Sequence, residues 1–437
     1  MYGTNGFGRR IACAALAAVF GMIAAAQEAT PPPPAKSPRI EALHAKVEAR
    51  DATAVDAFWK TAESEHTPII EAIEGVNDYV LATFLWKGDA QTRAVHLAGA
   101  LFTEPRETRG LERIGETNVW YKTERMRKDL RGSYQFMIND TADLPKTDAE
   151  AMERGKKAVA DPLNPKKGPG DGSLVELAGA PPQPWIENNR DVPRGEMRPH
   201  KVASKVLGNE RAVTVYTPAG YSRERGPYGM MVLFDLDSYT TVVPAARIMN
   251  NLIDAGEIPP MVLVMLGNVD REKELPCYPP FAEFLATELI PWARANYAIS
   301  DNPAKHVMAG SSYGGLASSY FAFMHPELIG NVLSQSGSYW WSPDWDWFRP
   351  IDSVEGEWLT KEFARAETKP IRFYMDVGLR EGGVPSMAVV NRHLRTVLEA
   401  KGYTVVKYAE FNGGHEYINW RGTLAEGLIA LVGTKIR

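Results

Sequence analysis

Residues 310–314 read Gly-Ser-Ser-Tyr-Gly, a G-x-S-x-G pentapeptide whose flanks leave the backbone few choices. Ahead of it, Lys305-His306-Val307-Met308-Ala309 has strand character. Behind it, residues 315–324 carry apolar side chains at helical spacing and stop at His325-Pro326. A strand that turns sharply into a helix at a serine is a nucleophile elbow. The strained turn lifts the hydroxyl out of the sheet, and the helix N-terminus points at the reacting carbonyl. The glycines suit this turn because a Cβ on either side would crowd it. Ser312 is the candidate nucleophile.

A chain of 437 residues is long for one domain, so two are expected. Residues 1–26 read as an export signal: Arg9-Arg10, an apolar run over 11–23, and Ala24-Ala25-Ala26 before Gln27. A periplasmic or secreted protein is therefore expected. The apolar run is too short to span a membrane, so no stable insertion is expected. Removing Arg9 and Arg10, with no acidic residue alongside, takes the formal charge from −5 to −7. That acidity argues against nucleic acid or an anionic membrane as partner. After cleavage one cysteine, Cys277, remains, which allows no internal disulfide. No Cys/His cluster has metal-ligand spacing, and no metal or cofactor is expected.

Residues 27–39 form a Pro-rich spacer. Residues 40–75 are rich in Ala, Glu and Lys with periodic apolar positions (Leu43, Val47, Val55, Phe58) and predict one or two helices. From Tyr79 the period changes. Short β-rich runs at 79–86, 92–102, 118–123 and 132–138, separated by turn residues, predict a small antiparallel sandwich over 76–185, closing at the linker Pro181-Pro182-Gln183-Pro184-Trp185. From 195 to 437 the pattern is α/β. Strand candidates at 212–216, 230–234, 261–266, 305–309, 332–335 and 371–376 alternate with helical stretches such as 281–296 and 387–401, which predicts a mostly parallel sheet covered by helices.

A serine nucleophile needs a base. His415 lies after the last strand candidate (404–411), on the loop Asn412-Gly413-Gly414-His415-Glu416, where an α/β-hydrolase places its histidine. His200, His306, His325 and His393 read as structural. The acid should follow the preceding strand: Glu381, on the loop beyond Gly378 where it can reach His415, is favoured, and Asp376, still within the strand, is the alternative. Either carboxylate would orient the imidazole and stabilise its cation. The oxyanion hole should combine the Tyr313 N–H with one from Leu236 or Asp237, on the loop after Phe234. Downstream of the strand candidate at 332–335, Tyr339, Trp340, Trp341, Trp345 and Trp347 crowd one loop. They read either as packing or as a stacking wall for an aromatic acyl group.

These residues resemble the enterochelin (enterobactin) esterase family over roughly residues 55–430. The matching pieces of the C-terminal half are residues 309–316, 333–341, Gly378-Leu379-Arg380-Glu381, Gly413-Gly414-His415-Glu416 and Trp420-Arg421-Gly422. Those of the N-terminal half are Thr83-Phe84-Leu85-Trp86, Arg131-Gly132-Ser133-Tyr134 and residues 161–165. The resemblance implies an immunoglobulin-like N-terminal domain, an α/β-hydrolase domain, Ser312 as nucleophile and His415 as base, and it favours Glu381 as the acid. Leu236 stands where the family usually carries glycine. The reaction expected is carboxylic-ester hydrolysis through an acyl-enzyme. The substrate implied is a catecholate siderophore trilactone, in its ferric or iron-free form, with Arg380 near the catechol charge. Alternatives are a feruloyl-type or general aromatic-ester esterase, an acyltransferase of the mycolyltransferase kind, or a non-catalytic periplasmic binding protein.

Overall fold

The structure is a computed structural model that describes residues 36–102, 106–140, 148–168, 172–345, 355–382 and 386–434. Residues 1–26, expected to be an export signal, most of the Pro-rich spacer and Trp347 lie outside the described residues.

Two helices, Pro38–Glu48 and Ala54–Glu65, open the described chain. Ser37 caps the first, accepting the Ile40 N–H, with Pro38 at the position where a missing N–H costs nothing. The helical segment ends earlier than its composition predicts. Residues 69–73, expected to belong to it, form strand β1 (Ile69–Ile73) instead. Pro68 cannot continue a helix, and the isoleucines that follow favour a strand. β1 joins a four-stranded antiparallel sheet with β2 (Val76–Lys87), β4 (Glu112–Arg113) and β5 (Val119–Arg127), in the order β1-β2-β5-β4. A second sheet of β3 (Val95–Ala98), β6 (Arg131–Ile138) and β7 (Ser173–Glu176) runs β3-β6-β7. The buried side chains of Phe84, Met126, Leu97, Tyr134 and Phe136 fill the space between them. The Tyr134 hydroxyl donates to Asp161 Oδ2 at 2.6 Å, which pins the loop 161–165 to this core.

The C-terminal half is an eight-stranded sheet built from β8 (Glu196–Ser204), β9 (Asn209–Thr217), β10 (Gly229–Leu233), β11 (Met261–Leu266), β12 (His306–Ser311), β13 (Asn331–Gln335), β14 (Arg372–Gly378) and β15 (Thr404–Phe411). Their order is β15-β14-β13-β12-β10-β11-β9-β8. The pairs from β11 through β15 are parallel; β9 pairs antiparallel with β11 and with β8. This is the α/β-hydrolase fold, and it follows the small immunoglobulin-like sandwich.

Successive residues of a strand face opposite sides of the sheet, so each central strand feeds two cores. Val232, Val264 and Met308 face one cluster; Leu233, Leu263 and Val307 face the other, under the helices Ala245–Asp254 and Tyr417–Val432. The chain goes from β10 outward to β11 and then returns to β12 on β10's other side. The crevice at the carboxyl ends of β10 and β12 is therefore the topological switch point, where open α/β sheets place their sites.

Candidate active site

Ser312 stands between β12 and the helix Tyr313–Met324 with φ 59° and ψ −122°. An L-residue tolerates this conformation only when its surroundings enforce it. They do so by close approach: a Cβ added at Gly310 would lie 2.7 Å from the Gly314 carbonyl carbon. A Cβ at Gly314 itself would meet nothing nearer than 3.7 Å, so the crowding resides at the first glycine of the motif. The Ser312 N–H donates to Gln335 O (2.9 Å), and its Oγ lies 3.2 Å from Ser338 Oγ. The hydrogen bonds of the described residues include none between Ser312 and His415; Ser338 holds the hydroxyl.

His415 emerges from the loop after β15, its ring edge-on to Trp420 with centroids 4.8 Å apart. Its Nδ1 lies 2.7 Å from Glu381 Oε2. A carboxylate only accepts, so this contact puts the proton on Nδ1 and leaves Nε2 as the basic nitrogen. Glu381 is buried, and its Oε1 accepts from Ser336 Oγ (2.6 Å) and the Gly378 N–H (2.7 Å). Trp420 Nε1 donates in turn to Ser336 Oγ at 3.0 Å, so one indole braces both the imidazole and the serine that holds the acid. Asp376, the other carboxylate, lies wholly buried within β14 with no hydrogen-bond partner on either oxygen. Burial pushes its carboxyl well above the ordinary range, and the nearby Glu381 and Glu426 carboxylates push the same way. The structure brings Glu381, not Asp376, to the histidine.

Leu236 and Tyr313 are each the first residue of a helix, Leu236–Thr241 and Tyr313–Met324. At a helix's first position neither N–H has an acceptor within its own helix. Asp237 is the second helical residue, and its side chain is exposed. The left-handed conformation in this loop belongs to Asp235 (φ 58°), one position before Leu236, which explains how a leucine fits there. Arg271 grips the Asp235 carboxylate with Nε and Nη2 at 2.8 and 3.0 Å, Asn268 donates to it at 2.6 Å, and the Arg271 guanidinium lies 5.7 Å from the Tyr313 ring.

The aromatic loop departs from the stacking-wall expectation at Tyr339. This residue is wholly buried, with its hydroxyl donating to Ser334 Oγ (2.6 Å) and 2.7 Å from Ser319 Oγ, so it lines no binding surface. The reason is local, since the Ser336 backbone turns at φ 46° and folds the next residues back beneath the nucleophile helix. Trp340 is also buried, between Tyr313 (5.7 Å) and Trp345 (4.6 Å). Trp341 is half-buried, edge-on to Trp358. Arg380 reaches across to the N-terminal domain, its Nη1 3.4 Å from Leu101 O. Ser336, Ser338 and Trp420 lie in segments the family resemblance had matched without a role, while the Asp235–Arg271 pair joins the site with no sequence signal.

Fold and site together define a carboxylic ester hydrolase of the α/β-hydrolase type. Residues 204–431 match the esterase family model ("Putative esterase"), and residues 81–186 match the model for the enterochelin esterase N-terminal domain. The iron(III) enterobactin esterase of Escherichia coli O6:H1 is 30% identical over 403 residues, which cover 86% of this chain and 96% of that one. The crystal structure of the Shigella flexneri enterobactin esterase, determined in the presence of enterobactin, superposes with a TM-score of 0.68 at 28% identity, covering 85% of this chain and 97% of that one. The ferric enterobactin esterase of Salmonella typhimurium gives 0.69 at 26% identity, covering 86% and 98%. The chain belongs to the enterochelin esterase family.

Proposed function

We propose that Ser312, His415 and Glu381 act as nucleophile, general base and orienting acid in hydrolysis of a catecholate siderophore trilactone. One observation carries the catalytic reading: the 2.7 Å contact from Glu381 to His415 Nδ1, beside a serine in the strained elbow conformation. The Ser312 oxygen attacks the ester carbonyl while His415 Nε2 takes its proton, and the Leu236 and Tyr313 N–H groups hold the oxyanion. Collapse expels the alcohol, which carries away the proton from His415 and leaves the acyl group on Ser312. Water attacks the acyl-enzyme by the same relay and frees the acid. The substrate class rests on the relatives, which are named enterobactin esterases over nearly their whole length. Of the described aromatic loop residues, Trp341 and Trp345 keep partial exposure, and Trp341 is the one of them expected to stack on substrate. The Arg9-Arg10 signal further suggests export, checked by N-terminal sequencing of the mature protein from a periplasmic fraction.

The test is a hydrolysis screen of enterobactin, with and without iron, against methyl ferulate and short p-nitrophenyl esters, products identified by mass. Wild type should open the trilactone fastest. Ser312→Ala should abolish turnover on every ester while its melt stays within the roughly 0.5 kcal/mol that such a change costs. Residual turnover in that variant would end the mechanism; preference for the ferulate would end the substrate assignment alone.

A further inference from the structure

The loop that carries His415 is held on its far side by the other domain. The Arg131 N–H donates to Asn412 O at 3.1 Å, and Asn412 Nδ2 donates to Asp129 Oδ1 at 2.7 Å. The backbones meet closely: a Cβ at Gly413 would lie 2.7 Å from Arg131 O, and one at Gly414 would lie 2.0 Å from Ala100 O. The residue after the histidine makes the tightest link. Glu416 is buried, and its carboxylate accepts twice from one residue of β6: Oε1 from the Ser133 N–H (2.9 Å) and Oε2 from the Ser133 hydroxyl (2.6 Å). Gly132, beside Ser133, would put a Cβ 3.0 Å from Glu416 Oε1 and 2.0 Å from Leu101 Cδ2.

We infer that Glu416 is a positioning residue that, gripped by Ser133 of the N-terminal domain, fixes the orientation of the His415 loop against Ser312 and Glu381. The inference rests on His415 being the base. A carboxylate held at both oxygens by one residue cannot swing or rotate, so the peptide next to His415 is fixed in direction as well as place. Glu381 fixes the imidazole from one side; the Ser133–Glu416 grip fixes the backbone that carries it. Misplacing a catalytic group by about an ångström costs on the order of a hundredfold in rate, so even a small slackening should be visible in kcat. A carboxylate buried against a neutral serine is also a poor device for stability alone.

The experiment measures kcat, KM and the thermal melt for Ser133→Ala, Glu416→Gln, their double mutant, Ser133→Thr and His415→Ala in the full chain. Ser133→Ala and Glu416→Gln should each lower kcat by about tenfold with KM unchanged within about twofold. The double mutant should lose no more than the worse single, because both remove one grip. Ser133→Thr, which keeps the hydroxyl, should recover kcat. Unchanged kcat in Ser133→Ala, multiplying losses in the double mutant, or a lowered melt with kcat intact would each overturn the proposal. Turnover retained in His415→Ala would instead take down the base assignment, and the proposal with it.

Discussion

Glu381 and Asp376 are both buried carboxyl groups beside the same histidine loop, yet their surroundings divide them. Glu381 receives three hydrogen bonds; the Asp376 carboxyl receives none among the described residues and is pushed toward the neutral acid. Glu381→Gln should slow ester hydrolysis by about 10³- to 10⁴-fold, as neutralising a triad carboxylate does. Asp376→Asn, nearly isosteric with the protonated acid, should change kcat/KM by less than about tenfold. Steady-state kinetics on both variants decides between them. Glu416 gives a prediction in pH. Burial pushes its carboxyl from 4.5 up to about 7; the two Ser133 hydrogen bonds and His415 pull it down, while Glu381 raises it and Arg421 also faces it. The folded state thus holds this proton more tightly than the unfolded chain. Its contribution to stability is complete below about pH 4.5 and is lost as pH rises through about 7. Thermal melts of wild type and Glu416→Gln from about pH 5 to about pH 8 should show wild type losing ground to the variant as pH rises. Ser312 and His415 were legible from spacing alone, because the elbow and the last loop are local patterns. The position of Glu381 on the loop beyond Gly378 already favoured it over Asp376, five positions earlier; what spacing could not show is the burial that separates their surroundings. Ser133 and Glu416 were equally hidden: 283 residues separate the two ends of that contact.

Elements were most legible where local chemistry and tertiary demand agree. The strand, turn and helix around Ser312 were readable because glycine, serine and an apolar run each ask for the same geometry. β1 was not, because five residues after an Ala- and Glu-rich stretch carry too little period to outweigh it; pairing of Ile69 with Thr83 on β2 makes it a strand. β8 escaped for the opposite reason. As the outermost strand it is largely exposed, tolerates Pro199 and shows no apolar alternation. The helix expected over 281–296 is interrupted by a π turn at Leu285–Leu289 ahead of Pro291. The elbow supplies the test at this scale. Gly310→Ala should destabilise the domain by about 1–3 kcal/mol through overpacking against backbone that cannot yield. Gly314→Ala, entering ordinary van der Waals contact inside a helix, should leave the melt unchanged or raise it by up to about 1 kcal/mol. Denaturant titration of the two variants checks the ranking.

At the scale of the whole molecule, the Pro-rich run 181–185 and the strand–helix alternation beyond it predict two halves. Their joining was not legible, because it is made of backbone approaches that leave no pattern in either half. Gln183 of the linker is bound from both sides, donating to Ile418 O (2.7 Å) and accepting from Arg421 Nε (2.6 Å), so the connection lies flat on the helix Tyr417–Val432. The closest approaches across the seam are those of Gly413 to Arg131 O and Gly414 to Ala100 O, where an added methyl group finds no room, while one at Gly132 would press on Glu416 Oε1 at 3.0 Å. That fit governs recombination between relatives. A chimaera that takes its sandwich from one parent and its hydrolase from another inherits two sound folds, but it assembles only if the glycines on both banks arrive together. The heritable unit is then the pair of loops that meet, and a crossover placed in the linker, where sequence alone would invite it, separates them.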